Sequence, residues 1–148
     1  MHEAPDGTAG VVVFSGMASE SIDVNTAWDA VETDATGAVV TFGGVVRNHD
    51  AGRAVERLAY SSHPSAEARM RELAEDVASR HPGTRLWAAH RVGDLAIGDA
   101  ALVAAAASAH RGEAFEACRD LVEAVKHGVP VWKEQHFADG GTEWVGMA

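Results

Sequence analysis

Ten of the twelve basic residues in this 148-residue chain are Arg, and the two lysines, Lys126 and Lys133, lie only seven positions apart. An arginine-rich coding bias is the plain explanation for two lysines this close, yet a pair in one short segment is worth following. The other notable basic groups stand where structural elements end. Arg47 follows an apolar run and two glycines, and His110-Arg111, with Ser108 nearby, stands where an apolar run gives way to a helical pattern. Lys126 closes that pattern, and Lys133 opens the next strand after Pro130. A helix N-terminus offers unpaired N–H groups and a positive dipole end to an anion, and Arg adds a two-pronged donor. Each residue has a plain structural explanation, such as a lysine favoured at a helix C-terminus. Together they describe an anion pocket.

Other chemistries are excluded. There is no Gly-x-x-x-x-Gly-Lys phosphate loop, no Gly-x-Gly-x-x-Gly after a strand and no Gly-x-Ser-x-Gly. Eight histidines show no zinc-type spacing, so no metal is expected. The single cysteine, Cys118, lies on the apolar stripe of a helix and reads as a packed, inert thiol. The net charge of −10 argues against nucleic acid or anionic membrane as a partner. Residues 1–34 carry seven acidic side chains and no Lys or Arg, so any bound anion must meet a local basic site. The longest apolar run, Ala100 to Ala107, is too short to span a bilayer, and Met1 to Asp6 does not read as a secretory signal. The expected compartment is the cytoplasm.

Hydrophobic content of 47% and charged content of 23% fit a globular chain of one domain, expected over 11–148 behind a loose tail at 1–10. Val11 to Phe14 reads as a short buried strand, and Val24, Ala27, Trp28 and Val31 fall at helical spacing. Ala38 to Phe42 and Val55 to Ser61 read as strands. Pro64 suits a first helical position, with Ala66, Met70, Leu73, Ala74 and Val77 as the stripe and Pro82-Gly83 as the stop. Residues 84–92 read as a strand, Gly93 to Asp99 as a loop, and Ala100 to Ala107 as a buried strand whose alanines also suit a helix. A second long helix is expected from His110 to His127, then a strand from Val131 and a closing hairpin around Asp139-Gly140-Gly141. Short connections and hairpin turns predict an α+β fold with a mixed or antiparallel sheet and two main helices.

Several ordered segments resemble the large, catalytic subunit of molybdopterin synthase. They are Gly37-Ala38-Val39-Val40-Thr41-Phe42-x-Gly44-x-Val46-Arg47-Asn48-His49, Ala89-His90-Arg91-Val92-Gly93-x-Leu95-x-x-Gly98-Asp99, Ser108-Ala109-His110-Arg111-x-x-Ala114-Phe115, Pro130-Val131-Trp132-Lys133 and Glu143-Trp144-Val145. The resemblance runs from about residue 11 to the end. It implies an α/β-hammerhead-like α+β domain that forms a homodimer within a heterotetramer. A small ubiquitin-like sulfur carrier would insert its C-terminal Gly-Gly tail, and the tail's thiocarboxylate would deliver sulfur to cyclic pyranopterin monophosphate, giving the dithiolene of molybdopterin. No cofactor is implied, because the carrier supplies the sulfur.

By the same resemblance, Lys126 lies nearest the carrier's terminal carbonyl, as oxyanion stabiliser or general acid/base. Lys133 is the second essential lysine, facing the pterin. Arg47, His110 and Arg111 match substrate-binding positions, Gln135 is expected to bind substrate beside them although it departs from the pattern, and Phe42 matches a pocket wall near the tail channel. The chain departs from the family pattern at Val45, at Ser61-Ser62-His63-Pro64, at Glu134-Gln135 and in ending at Ala148. The alternative function is a non-catalytic relative that docks a ubiquitin-like tail. Retention of both lysines favours the enzyme.

Overall fold

The central strand of the fold is the alanine run, Ala100–Ser108, and its two-sided burial explains its composition. Leu102, Ala104 and Ala106 belong to one core cluster, while Val103, Ala105 and Ala107 belong to another on the opposite face. A strand covered by helices on both faces needs apolar side chains at every position, and small ones let the covering layers approach closely. This settles the helix–strand ambiguity of the alanines in favour of the strand.

The structure, a computed structural model, describes residues 8–146. In chain order the elements are β1 (Val11–Ala18), α1 (Val24–Val31), β2 (Ala38–Val45), β3 (His49–Asp50), β4 (Arg53–Ser62), α2 (Ala66–Arg80), β5 (Arg85–Arg91), β6 (Gly93–Ala96), β7 (Ala100–Ser108), α3 (Arg111–Gly128), β8 (Val131–Phe137) and β9 (Thr142–Gly146). One sheet has the order β1-β5-β7-β2, with β1 and β5 parallel and the other pairs antiparallel. The second has the order β3-β4-β8-β9, with β6 also paired to β4. The α+β class with mixed and antiparallel pairing is as the sequence predicts, and the short α1 joins the two longer helices.

Helices α2 and α3 pack on one face of the first sheet through Met70, Ala74, Val77, Leu121, Val122 and Val125. Truncating a fully buried member such as Leu121 to Ala would cost about 2–5 kcal/mol. Helix α1 covers the other face with Ala27 and Val31, and Asp23 caps it by accepting a hydrogen bond from Thr26 N at 2.8 Å. A smaller cluster of Val46, Leu58, Leu95 and Ala101 joins the two sheets.

Several boundaries differ from the sequence expectation. Strand β1 continues to Ala18 and is an edge strand with Val11 and Phe14 exposed, so it is not a buried strand. Helix α2 starts at Ala66 with Ser65 as its N-cap residue, and Pro64 lies just outside it. There the His63 ring contacts both Ser65 Oγ and Ser65 N, forming the turn ahead of the helix. The expected loop 93–99 contains β6, because the positive φ of Gly93 and Gly98 folds the segment back so that Leu95 is buried. Of the expected tail, residues 1–7 lie outside the described residues. Thr8 O and Gly10 N bond Gly83 N and Ala78 O, so the last part of 1–10 is tied down.

Candidate anion-binding active site

The cavity lies where the two sheets meet, with a volume of about 370 Å³, within the range of small-molecule sites. Strands β4 and β8 build one wall. Tyr60 stands directly opposite Lys133, and Leu58 opposite Gln135, and all four side chains line the cavity. Helix α3 contributes Val122 and, one turn on, Lys126 from the same face. The segment after β2 contributes Arg47. Its position is fixed because the buried Val46 donates to Asp99 O at 2.9 Å and accepts from Gly98 N at 2.8 Å. Phe42, from β2, closes the side towards α3.

Five of the sequence-predicted residues, Phe42, Arg47, Lys126, Lys133 and Gln135, therefore line one cavity. The structure does not bring His110 and Arg111 there. His110 is the N-cap residue of α3 and Arg111 its first residue, and the fifteen steps to Lys126 span about 22 Å. Both are exposed.

Sequence reasoning missed Asp50, Tyr60 and His90, which also line the cavity. Asp50 accepts from Gln135 Nε2 at 2.8 Å and pairs with Arg47 Nη2 at 3.4 Å. The Gln135 hydrogen bond, aided by the charges of Lys133 and Arg47 against a smaller burial effect, holds the Asp50 carboxyl below its usual range. His90 is 6% exposed. Burial depresses its pKa, against the effect of its hydrogen bond to Arg91 O, and burial raises that of Tyr60. Three cations and one carboxylate leave the cavity positive in an otherwise acidic protein, which suits a phosphate or carboxylate.

A second, apolar groove of about 290 Å³ runs between the edge strand β2 and α3, lined by Val40, Phe115 and Cys118 among others. It shares Phe42 and Val122 with the cationic cavity, so the two adjoin at these side chains. Phe115 is 61% exposed along it. Cys118 is packed as the sequence predicts, and burial pushes its thiol up to about 11. Elsewhere, at the junction of α2 and α3, ligand atoms of His81, Glu113 and Glu116 lie within 4.8 Å of one another. There His81 Nε2 is already bonded to Asp120 at 2.6 Å. Sequence spacing could not reveal this group, because it joins two separate helices. Among the described residues no helix is long and apolar enough to cross a membrane.

A two-sheet α+β domain with an acidic exterior, a positive small-molecule cavity and an apolar groove beside it defines an anion-handling enzyme. The family described as MoaE protein matches residues 17–128, and the chain belongs to that family. The match includes Phe42, Arg47, His110, Arg111 and Lys126, while Lys133 and Gln135 lie beyond it. The chain is 38% identical over 138 residues to molybdopterin synthase catalytic subunit 1 of Mycobacterium tuberculosis, spanning 93% of each. It is 37% identical over 118 residues to the molybdopterin synthase catalytic subunit of a Nostoc species, spanning 78% of this chain and 72% of that one. The crystal structure of molybdopterin synthase from Staphylococcus aureus superposes with a TM-score of 0.82 at 32% identity, over 88% of this chain and 96% of the other.

Proposed function

We propose that this chain is the catalytic subunit of a molybdopterin synthase, working in the cytoplasm. It binds cyclic pyranopterin monophosphate in the cationic cavity and transfers to it the sulfur of a thiocarboxylate at the C-terminus of a small ubiquitin-like carrier. The observation that carries this reading is the convergence of Arg47, Lys126 and Lys133 from three separate elements on one cavity. Two anions, a phosphate and a thiocarboxylate, must approach each other for sulfur to pass, and their repulsion has to be offset locally. Lys126 stands at the α3 end of the cavity, where the apolar groove adjoins it at Val122 and Phe42. An extended tail entering by that groove along the unpaired edge of β2 would bring its terminal acyl oxygen to Lys126. Lys133 and Arg47 then hold the phosphate-bearing substrate. The name "catalytic subunit" carried by the relatives describes one part of an assembly, which supports a separate carrier chain.

His110 and Arg111 are about 22 Å from Lys126 along α3, too far to share its ligand within one protomer. In a homodimer they would complete the cavity of the other copy. The sulfur stays on the carrier until transfer, since Cys118, the chain's one thiol, is held protonated by burial.

The test is reconstitution. Purified protein, thiocarboxylated carrier from the same source and cyclic pyranopterin monophosphate are mixed, and the dithiolene product is sought by mass spectrometry. We expect product from the wild type and a loss of about 10²-fold or more in Lys126→Ala and Lys133→Ala. The carrier should still bind Lys126→Ala, because its docking surface far exceeds one side chain. A stable carrier complex without product would establish the docking module instead, and neither complex nor product would overturn both readings.

A further inference from the structure

The charged residues explain how the cavity holds an anion but not how it tells one phosphate from another. His90 addresses that gap. Its Nδ1 lies 2.7 Å from the Arg91 carbonyl oxygen, which can only accept, so Nδ1 carries the ring proton. In the neutral ring Nε2 is then left with a bare lone pair. No described residue hydrogen-bonds Nε2. Among the described residues, the sealed polar side-chain atoms without a partner are Ser15 Oγ and Arg91 Nε, so Nε2 is not sealed, and His90 is one of the residues lining the cavity. The ring is held edge-on against Tyr60, with centroids 4.8 Å apart and planes at 80°. Its strand neighbours, Met17 and Leu102, are apolar. The charged groups on the cavity walls are Arg47, Asp50, Lys126 and Lys133.

We propose that His90 Nε2 accepts a hydrogen bond from an N–H donor of the substrate's pterin ring and so determines specificity for the heterocycle. This rests on the functional reading above. Arg47, Lys126 and Lys133 are donors only, and would hold a bare phosphate as readily as a phosphorylated pterin. A buried acceptor at a fixed place rejects a ligand without the matching donor, because the lone pair would then be desolvated with nothing in return.

Two variants and one spectrum test it. His90→Phe keeps the ring against Tyr60 and removes the acceptor, while His90→Gln restores an acceptor oxygen. In the reconstituted synthase we expect His90→Phe to raise KM for cyclic pyranopterin monophosphate about tenfold or more. Inhibition by inorganic phosphate and affinity for the carrier should stay unchanged, and His90→Gln should recover most of the loss. An unchanged KM in His90→Phe would overturn the proposal, as would an equal weakening of phosphate inhibition. Should the variants fold poorly, ¹⁵N spectra of wild-type His90 decide. Nε2 must be the unprotonated nitrogen and must shift on substrate addition, and a protonated Nε2 would overturn it. Absence of product from the wild-type protein would instead overturn the functional reading, with the Nε2 protonation state of the free protein still measurable.

Discussion

Gln135 Nε2 donates to Asp50 Oδ2 at 2.8 Å and also lies 3.2 Å from Glu143 Oε1, so one buried amide serves two carboxylates. Asp50 in turn faces Arg47, which links strand β8 to the cationic wall through β3. At 3% exposure, a carboxylate in place of the Gln135 amide would face two others with no counter-charge between them. The neutral amide supplies donors without adding charge, and it positions Arg47 through Asp50. With its N–H groups engaged in this way, Gln135 has its carbonyl oxygen left for a ligand.

Replacing Gln135 with Leu should therefore be felt at acid pH. Asp50 is depressed mainly by the Gln135 hydrogen bond. A carboxylate depressed in the folded state contributes stability above its unfolded pKa, and that contribution is lost as pH falls through the folded value. In Gln135→Leu the Asp50 pKa should return towards the ordinary carboxylate value of about 3.9, and the acid limb of the stability curve should move to higher pH. Carboxyl ¹³C titration by NMR measures the pKa directly. An unmoved Asp50 would mean that the cations, and not the amide, set it.

Cys118 gives a second expectation. With its thiol pushed to about 11 by burial, only about one molecule in a thousand carries the thiolate at pH 8. Iodoacetamide should label the unfolded chain quickly and the native one scarcely at all, as read by intact mass. Cys118→Ala should keep sulfur transfer near wild type. Loss of transfer with an unchanged melting temperature would show that this thiol carries sulfur.

The strands and helices were legible in the sequence where one period governed one face. The alternation through Leu102, Val103 and Ala104 serves two cores, and this is why the run reads as uniformly apolar. β6 was not legible, because four residues between left-handed glycines bury only Leu95. The lysines stood out by residue type, and Arg47 by its place after a strand. Their meeting could not be read from spacing, since β2, α3 and β8 converge only through the packing of two sheets. The same physics hid Asp50, Tyr60 and His90, which sit at unremarkable strand positions. His110 and Arg111 were correctly read as a helix N-terminus, but the length of α3 carries that terminus away from the cavity.

Gly37 tests the junction ahead of β2. Its φ is not in the left-handed region, so the constraint is one of space and not of backbone conformation. A Cβ there would be driven into the backbone carbonyl of Ala109, and backbone cannot swing aside as a side chain can. Relief must come from the β2–β7 ladder, where Ala38 pairs with Ser108. Gly37→Ala should cost about 1–3 kcal/mol, a drop of about 2–10 °C in Tm. An unchanged Tm would show that the ladder slides without cost.

The separation of Arg111 from Lys126 makes the dimer testable by mixing two dead proteins. If Arg111 serves the cavity of the other copy, Arg111→Ala and Lys126→Ala should each be inactive alone. In a two-fold dimer of one subunit of each kind, one cavity carries both defects and the other carries neither. Random exchange makes half the dimers mixed, so about one quarter of the cavities regain full function. We expect that activity to appear only after subunits are mixed under exchanging conditions, and to approach about a quarter of the wild-type rate at equal ratio. If Arg111 acted within its own protomer, each cavity of the mixed dimer would carry one defect and mixing would restore nothing. A fully active Arg111→Ala would remove the residue from the site altogether, leaving Arg47, Lys126 and Lys133 as its cations.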